Sequence, residues 1–163
     1  MSMQPFEVAE GEEYNGVCQL SVFLENRLGQ LHRLTRVLER AEVRILALSV
    51  VYSVDCAIIR LLVDDADEAH RLLSENGFSL TESEVLVVLL PEGKRGILTI
   101  CSALLAAEVN ILYAYPLLPH PDGRPALAIK TDAKQMAADL LRSKGFAVLD
   151  QSDLRDSDGT TGF

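Results

Sequence analysis

Ala41-Glu42-Val43-Arg44-Ile45-Leu46 returns later in the chain as Ala107-Glu108-Val109-Asn110-Ile111-Leu112, with five of the six positions identical. The spacing is 66 residues (107 − 41), and it also aligns Leu20 with Leu86, Val22 with Val88, Leu31 with Ile97, Leu34 with Ile100 and Leu38 with Leu104. Toward the end of each half, Leu72-Leu73 matches Leu140-Leu141 and Gly77-Phe78 matches Gly145-Phe146, now at 68 residues (145 − 77). A fixed period of this kind means one supersecondary unit used twice. The two extra residues belong in the turn-rich run Pro119-His120-Pro121-Asp122-Gly123-Arg124-Pro125, because loops absorb insertions at small entropic cost.

Each copy reads alike. Residues 17–24 alternate in the manner of a strand, and 26–29 break it. Across 30–40, Leu31, Leu34, Val37 and Leu38 recur at helical spacing, leaving His32, Arg33, Arg36, Glu39 and Arg40 for water. Residues 43–52 and 57–63 are β-branched and apolar, with a tight connection at 53–55, so they form a hairpin. Asp64-Asp65 offers an N-cap to a helix over 66–75, closed by Asn76-Gly77 before a last strand. The order β-α-β-β-α-β is a ferredoxin-like split βαβ, twice. The expected class is α+β, with antiparallel sheets carrying their helices on one face. Its units are residues 17–83 and 84–150, flanked by a flexible 1–16 and a polar, disordered tail at 151–163. A unit this small is marginal with its second sheet face bare, so the two should share a surface and the chain should form a homodimer.

Composition narrows the function classes. The net charge is −9, from 24 acidic against 15 basic residues scattered along the chain, which opposes binding to a nucleic-acid backbone. No apolar run approaches the roughly 20 residues that span a bilayer, and the acidic N-terminus does not resemble a signal peptide, so a cytoplasmic protein is expected. Cys18, Cys56 and Cys101 lack metal-ligand spacing and read as buried thiols. His32, His70 and His120 have no partner at triad or metal spacing and read as solvent-exposed, and no phosphate-cradling glycine motif is present. Ser53 and Asp55 are explained by the hairpin turn. Tyr113 and Tyr115 alternate on one strand face, as half-buried tyrosines ordinarily do. Neither a catalytic residue, a metal site nor a cofactor is expected.

The run Val22-Phe23-Leu24-Glu25-Asn26-Arg27-Leu28-Gly29-Gln30-Leu31, followed by Ala41-Glu42-Val43-Arg44-Ile45, resembles the ACT-domain signature. That signature is a strand, an Asn-Arg-Pro-Gly-x-Leu turn, a helix, and Ala-Gly-Ile-Asn-Ile leading into strand two. Ala57-Ile58-Ile59-Arg60-Leu61 is similar to the third strand of small bacterial proteins made only of two ACT domains. The resemblance covers about residues 17–150. Leu28 stands in place of the Pro, Glu42 and Glu108 in place of the Gly before strand two, and Lys94 and Arg95 fall in the Pro-Gly slots of the second copy, between Gly93 and Gly96.

The resemblance implies a stand-alone regulatory or sensor protein that binds a small molecule, an amino acid, and acts alone or as a regulatory subunit of an amino-acid biosynthetic enzyme, without catalysis or contact with membranes or nucleic acid. It places the ligand between the strand-one turn of one unit and strand two of another. Its expected residues are Asn26, Arg27, Leu28, Gly29, Gln30 and Leu31 with Asn110 and Leu112, and a second, weaker set of Arg44, Gly93, Arg95, Gly96 and Ile97. A helix N-terminus offers unpaired N–H groups and partial positive charge to a carboxylate, while an Asn amide both donates and accepts. Two other readings compete: an assembly module whose ligand site has decayed, and a small enzyme of the acylphosphatase kind, for which Asn26 and Arg27 are only a faint echo.

Overall fold

The computed structural model describes residues 13–155. Strand β1 (Val17–Glu25) leads to helix α1 (Gln30–Arg40), the hairpin β2 (Ile45–Tyr52) and β3 (Cys56–Val63), helix α2 (Ala66–Glu75) and the long strand β4 (Ser79–Leu89). The second copy continues with α3 (Gly96–Ala106), β5 (Ile111–Pro116), β6 (Ala126–Thr131), α4 (Lys134–Ser143), β7 (Val148–Leu149) and a last helix, α5 (Gln151–Arg155). The βαββαβ order therefore occurs twice, as the repeat implies.

One strand serves both copies. Residues 79–85 of β4 pair with β1 as strand four of the first unit. Its next residues, 86–89, pair with β6, and Val87 and Val88 with β7, as strand one of the second. The expected division between 83 and 84 thus falls inside a continuous strand. All pairing is antiparallel in one seven-stranded sheet, with the order β2-β3-β1-β4-β6-β5 and β7 beside β4. The repeat extends to register: Ile45 pairs with Val63 and Ile111 with Thr131, each followed by a bulge, so the two added residues lie between β5 and β6.

The sheet curls until its ends meet, where the N–H of Leu118, just past β5, donates to the carbonyl of Leu46 on β2 at 2.7 Å. Three cores result. α1 and α2 cover the outer face of the first unit over Leu20, Val22, Leu34, Leu38, Leu61 and Leu73. In the second unit α3 and α4 cover Leu86, Val88, Ile100, Leu104 and Leu141. The third core lies inside the curl and joins Val17, Leu46, Ala47 and Leu62 to Val87, Leu89, Tyr115, Leu117 and Ala128.

Both ends of the chain depart from expectation. Tyr14 is buried, and its hydroxyl donates to the carbonyl of Leu149 at 2.7 Å, so the folded part begins before residue 17. Residues 151–155 form α5 in place of disorder. Asp150 accepts from the N–H groups of Ser152 and Asp153 at 2.8 and 3.0 Å and starts the helix, whose Leu154 is fully buried in the inner core. The flexibility expected of 1–12 and 156–163 lies outside the described residues.

Candidate functional site

The first turn is built by Gly29, which takes φ +83 at the N-cap of α1. A left-handed backbone suits glycine, and a Cβ placed there would meet nothing within 4 Å, so the approach to the helix end is open. The N–H of Arg33 is bonded to the carbonyl of Gly29, which leaves the preceding N–H groups of α1 without intrahelical partners. No acidic residue occupies the first turn of α1 to offset its partial positive charge. Beside it Asn26 Nδ2 donates to Tyr52 Oη at 2.9 Å, and Arg27 pairs with Glu25 at 2.9 Å. Leu28 is fully exposed and Leu31 is exposed at the edge of the turn.

The second turn has its own geometry. Gly93 takes φ +100, and Gly96 is needed for close packing because a Cβ there would sit 3.0 Å from the carbonyl oxygen of Pro91. Arg95 stands at the N-cap position of α3 without a side-chain capping bond, and the first turn of α3 is also free of acids. A concavity of about 300 Å³ opens here, lined by Gly93, Arg95, Gly96 and Ile97 together with Lys94, Leu98 and prolines 91 and 125.

The starts of strand two are pinned identically in both copies. The N–H of Arg44 donates to Asp64 Oδ1 at 2.9 Å, and that of Asn110 to Asp132 Oδ1 at 3.0 Å. The carbonyls of the same two residues accept from the backbone N–H groups of Asp64 and Asp132. These aspartates hold the strand starts and were not singled out for it by sequence reasoning. Their positions, 68 apart, were the available signal. Asn110 is exposed and so is Leu112. Among the described residues, no hydrogen bond or ion pair joins residues 26–31 to Asn110 or Leu112.

A further concavity of about 410 Å³ lies between Gly16, Cys18, the start of α2 at Ala66 and Asp67, Glu82, Glu84 and Arg155. Burial first, then the carboxylates of Glu82, Asp67 and Glu84, push the Cys18 thiol there up to about 11. Burial likewise pushes Tyr14 up to about 12. His70 is half-buried rather than fully exposed, with Nδ1 2.5 Å from Glu82 Oε1. Among the described residues, no three His, Cys, Asp or Glu side chains converge to hold a metal ion. No described helix is long and apolar enough to cross a membrane.

The family model of the ACT domain pair matches residues 15–157. The chain belongs to that family, one of regulatory rather than catalytic domains. Protein BT0572 from Bacteroides thetaiotaomicron is similar, with 28% identity and a TM-score of 0.79 over 86% of this chain and 96% of that one. The ligand-free regulatory subunit of aspartate kinase from Thermus thermophilus shares the fold at 12% identity, with a TM-score of 0.57 over 80% of this chain and 93% of that one. Its counterpart from Thermus flavus does so at 13% and 0.52, over 81% and 98%. No curated protein matches the chain.

Proposed function

We propose that this ACT domain pair is an amino-acid-responsive regulatory protein, acting alone or as a regulatory subunit of an amino-acid biosynthetic enzyme. The amino acid's carboxylate sits on the N–H groups of residues 29–31, with Asn110 and Leu112 of a strand-two start completing the pocket from the other side. The observation that carries this reading is the open, left-handed Gly29 turn at a helix end that no acid offsets. The fold shared with regulatory subunits of aspartate kinase supports the class of function. Because Asn110 makes no bond to the turn within one chain, a homodimer supplies the pairing, turn of one copy against strand two of the next. The concavity at 93–97, facing Arg44 in the same manner, is the second site.

A thermal-shift screen of the twenty amino acids tests the proposal. At a hundred times Kd the native state gains about 2.7 kcal/mol, which is roughly 5 to 10 °C for a chain of this size. Gly29→Val removes the shift, since its side chain occupies the open approach at a strained φ. Asn110→Ala weakens binding by about 1 to 3 kcal/mol, the range for leaving a buried hydrogen-bonding partner unsatisfied. If no amino acid moves the melt at millimolar concentration, or Gly29→Val responds like the parent, the assembly-module reading replaces this one. That reading has its own support in the exposed Val50, Val51 and Tyr52 of the edge strand β2 and Val54 in the turn that follows it.

A further inference from the structure

The inner face of the first unit differs in kind from that of the second. Register places Gln19, Ser21 and Phe23 of β1, Arg60 and Ile58 of β3, Ser49 and Val51 of β2, and Thr81 and Ser83 of β4 on this face. Their counterparts in the second unit are apolar and covered: Gln19 corresponds to Val85, Ser21 to Val87, Ser49 to Tyr115 and Arg60 to Ala128. The pair Ser49–Arg60 occupies the place that Tyr115–Ala128 holds in the repeat. Polar groups at sites that a neighbouring copy fills with packed apolar side chains cost stability unless something satisfies them.

Arg60 is the central group. It is half-buried, and its guanidinium lies over the Tyr113 ring, 3.7 Å from the ring centre, with no carboxylate or hydrogen-bond partner among the described residues. Stacking fixes the plane of the guanidinium and leaves its N–H edge for a planar, bidentate acceptor. On the same face, hydroxyls gather about the Gln19 amide. Gln19 Nε2 lies 2.9 Å from Tyr113 Oη and 3.3 Å from Ser21 Oγ and Ser83 Oγ; its two hydrogens serve two of these oxygens at a time, and a hydroxyl that accepts from it keeps its own hydrogen to give. Glu25, at the end of β1, is already paired with Arg27. Among the described residues, this face thus offers donors to an anion and, on β1–β4, no carboxylate but that of Glu25. Phe23, Ile58 and Val51 adjoin one another in register as an apolar rim, with Phe23 and Val51 still 41% and 38% exposed.

We propose that this face is a ligand site separate from both turns, for a small apolar carboxylic acid without an α-ammonium group. The carboxylate lies on the edge of Arg60 with help from Ser21 and Tyr113, and the hydrocarbon lies on Phe23, Val51 and Ile58. A 2-oxo acid adds an acceptor for the remaining hydroxyl. The site shares no residue with the 26–31 turn.

Isothermal titration of the full chain with isovalerate, 4-methyl-2-oxopentanoate and isovaleramide tests it, with amide-proton NMR to locate the effect. The two acids bind, the neutral amide binds at least about tenfold more weakly, and the shifts fall on residues 21, 49 and 60, as expected of a charge-assisted contact. Arg60→Gln weakens the acids by about 10- to 100-fold and Arg60→Lys by less, because Lys keeps the charge but loses the fork. Should Arg60→Gln not fold, Ser21→Val, which copies the second unit, lowers acid affinity while leaving the amide unchanged. Gly29→Val removes any amino-acid response and leaves the acid titration intact, which separates this site from the turn. No acid binding up to about 10 mM, equal binding of acid and amide, shifts elsewhere in the sheet, or parent-like affinity in Arg60→Gln would each overturn the proposal.

Discussion

Glu42 and Glu108 take φ +59 and +57, the left-handed region that costs most residues about 1 to 2 kcal/mol. Both terminate a helix. The N–H of Val43 bonds back to the carbonyl of Leu38 and that of Val109 to Leu104, an arrangement that glycine ordinarily serves. These are the positions at which the ACT-domain signature carries glycine, and the backbone here takes the left-handed conformation that glycine adopts most readily. Glu42→Gly and Glu108→Gly are each expected to stabilise the fold by about 0.5 to 1 kcal/mol once glycine's greater entropy when unfolded is deducted. Urea melts of the two variants check this, and a loss of stability would show that the Glu side chains make up for the strain. The identical neighbours of the two positions made their equivalence legible in the sequence, whereas the sign of φ was not.

Elements with a periodic pattern and a cap were read directly. α1 and α2 span 30–40 and 66–75 as the spacing of Leu34, Leu38, Ala69 and Leu73 requires, and Asp65 accepts from the N–H of Glu68 as the predicted cap. α5 was not read, because five polar-rich residues carry no period. Its start, Asp150, has its carboxyl held below the ordinary range by the Ser152 hydroxyl and then the Asp153 N–H. Leu154 gives it a place in the inner core, Gln151 ties it to the first unit through the N–H of Cys18 and the carbonyl of Val63, and Arg155 Nε donates to the carbonyl of Asp64 at 3.3 Å. Leu154→Ala is expected to cost about 2 to 5 kcal/mol, the range for truncating a fully buried leucine. Chemical denaturation measures it. A change within about 0.5 kcal/mol, as for a surface position, would mean that the helix is dispensable.

At the scale of the molecule, the curl is held from within by polar as well as apolar contacts. Gln19 is fully buried, receives the Tyr115 hydroxyl on Oε1 at 2.6 Å and gives its Nε2 to Tyr113, so a first-unit side chain latches two tyrosines of the second. Burial holds the Tyr115 hydroxyl neutral well above the usual phenol range. Gln19→Ala is expected to cost about 2 to 4 kcal/mol, since it leaves a cavity and strands two partly buried hydroxyls. Adding Tyr113→Phe and Tyr115→Phe should return part of that loss. Equilibrium unfolding of the single and triple variants decides it, and strictly additive losses would show that the three side chains do not act as a unit.

Sequence alone determined the doubling of the unit, the order of its elements and the turn in which Gly29 sits, because repeats, periodicity and turn chemistry are local or pairwise properties of the chain. It also made the family recognisable from residues 22–31 and 41–45. Only the tertiary structure decided that β4 is shared, that the sheet closes through Leu46 and Leu118, and that the strand starts hang on Asp64 and Asp132. The same holds for Arg60, an unremarkable residue in a β-branched run until the curl lays Tyr113 against it. Such contacts join residues 20 or more positions apart, and nothing in local propensity or period encodes which distant faces a curled sheet will bring together.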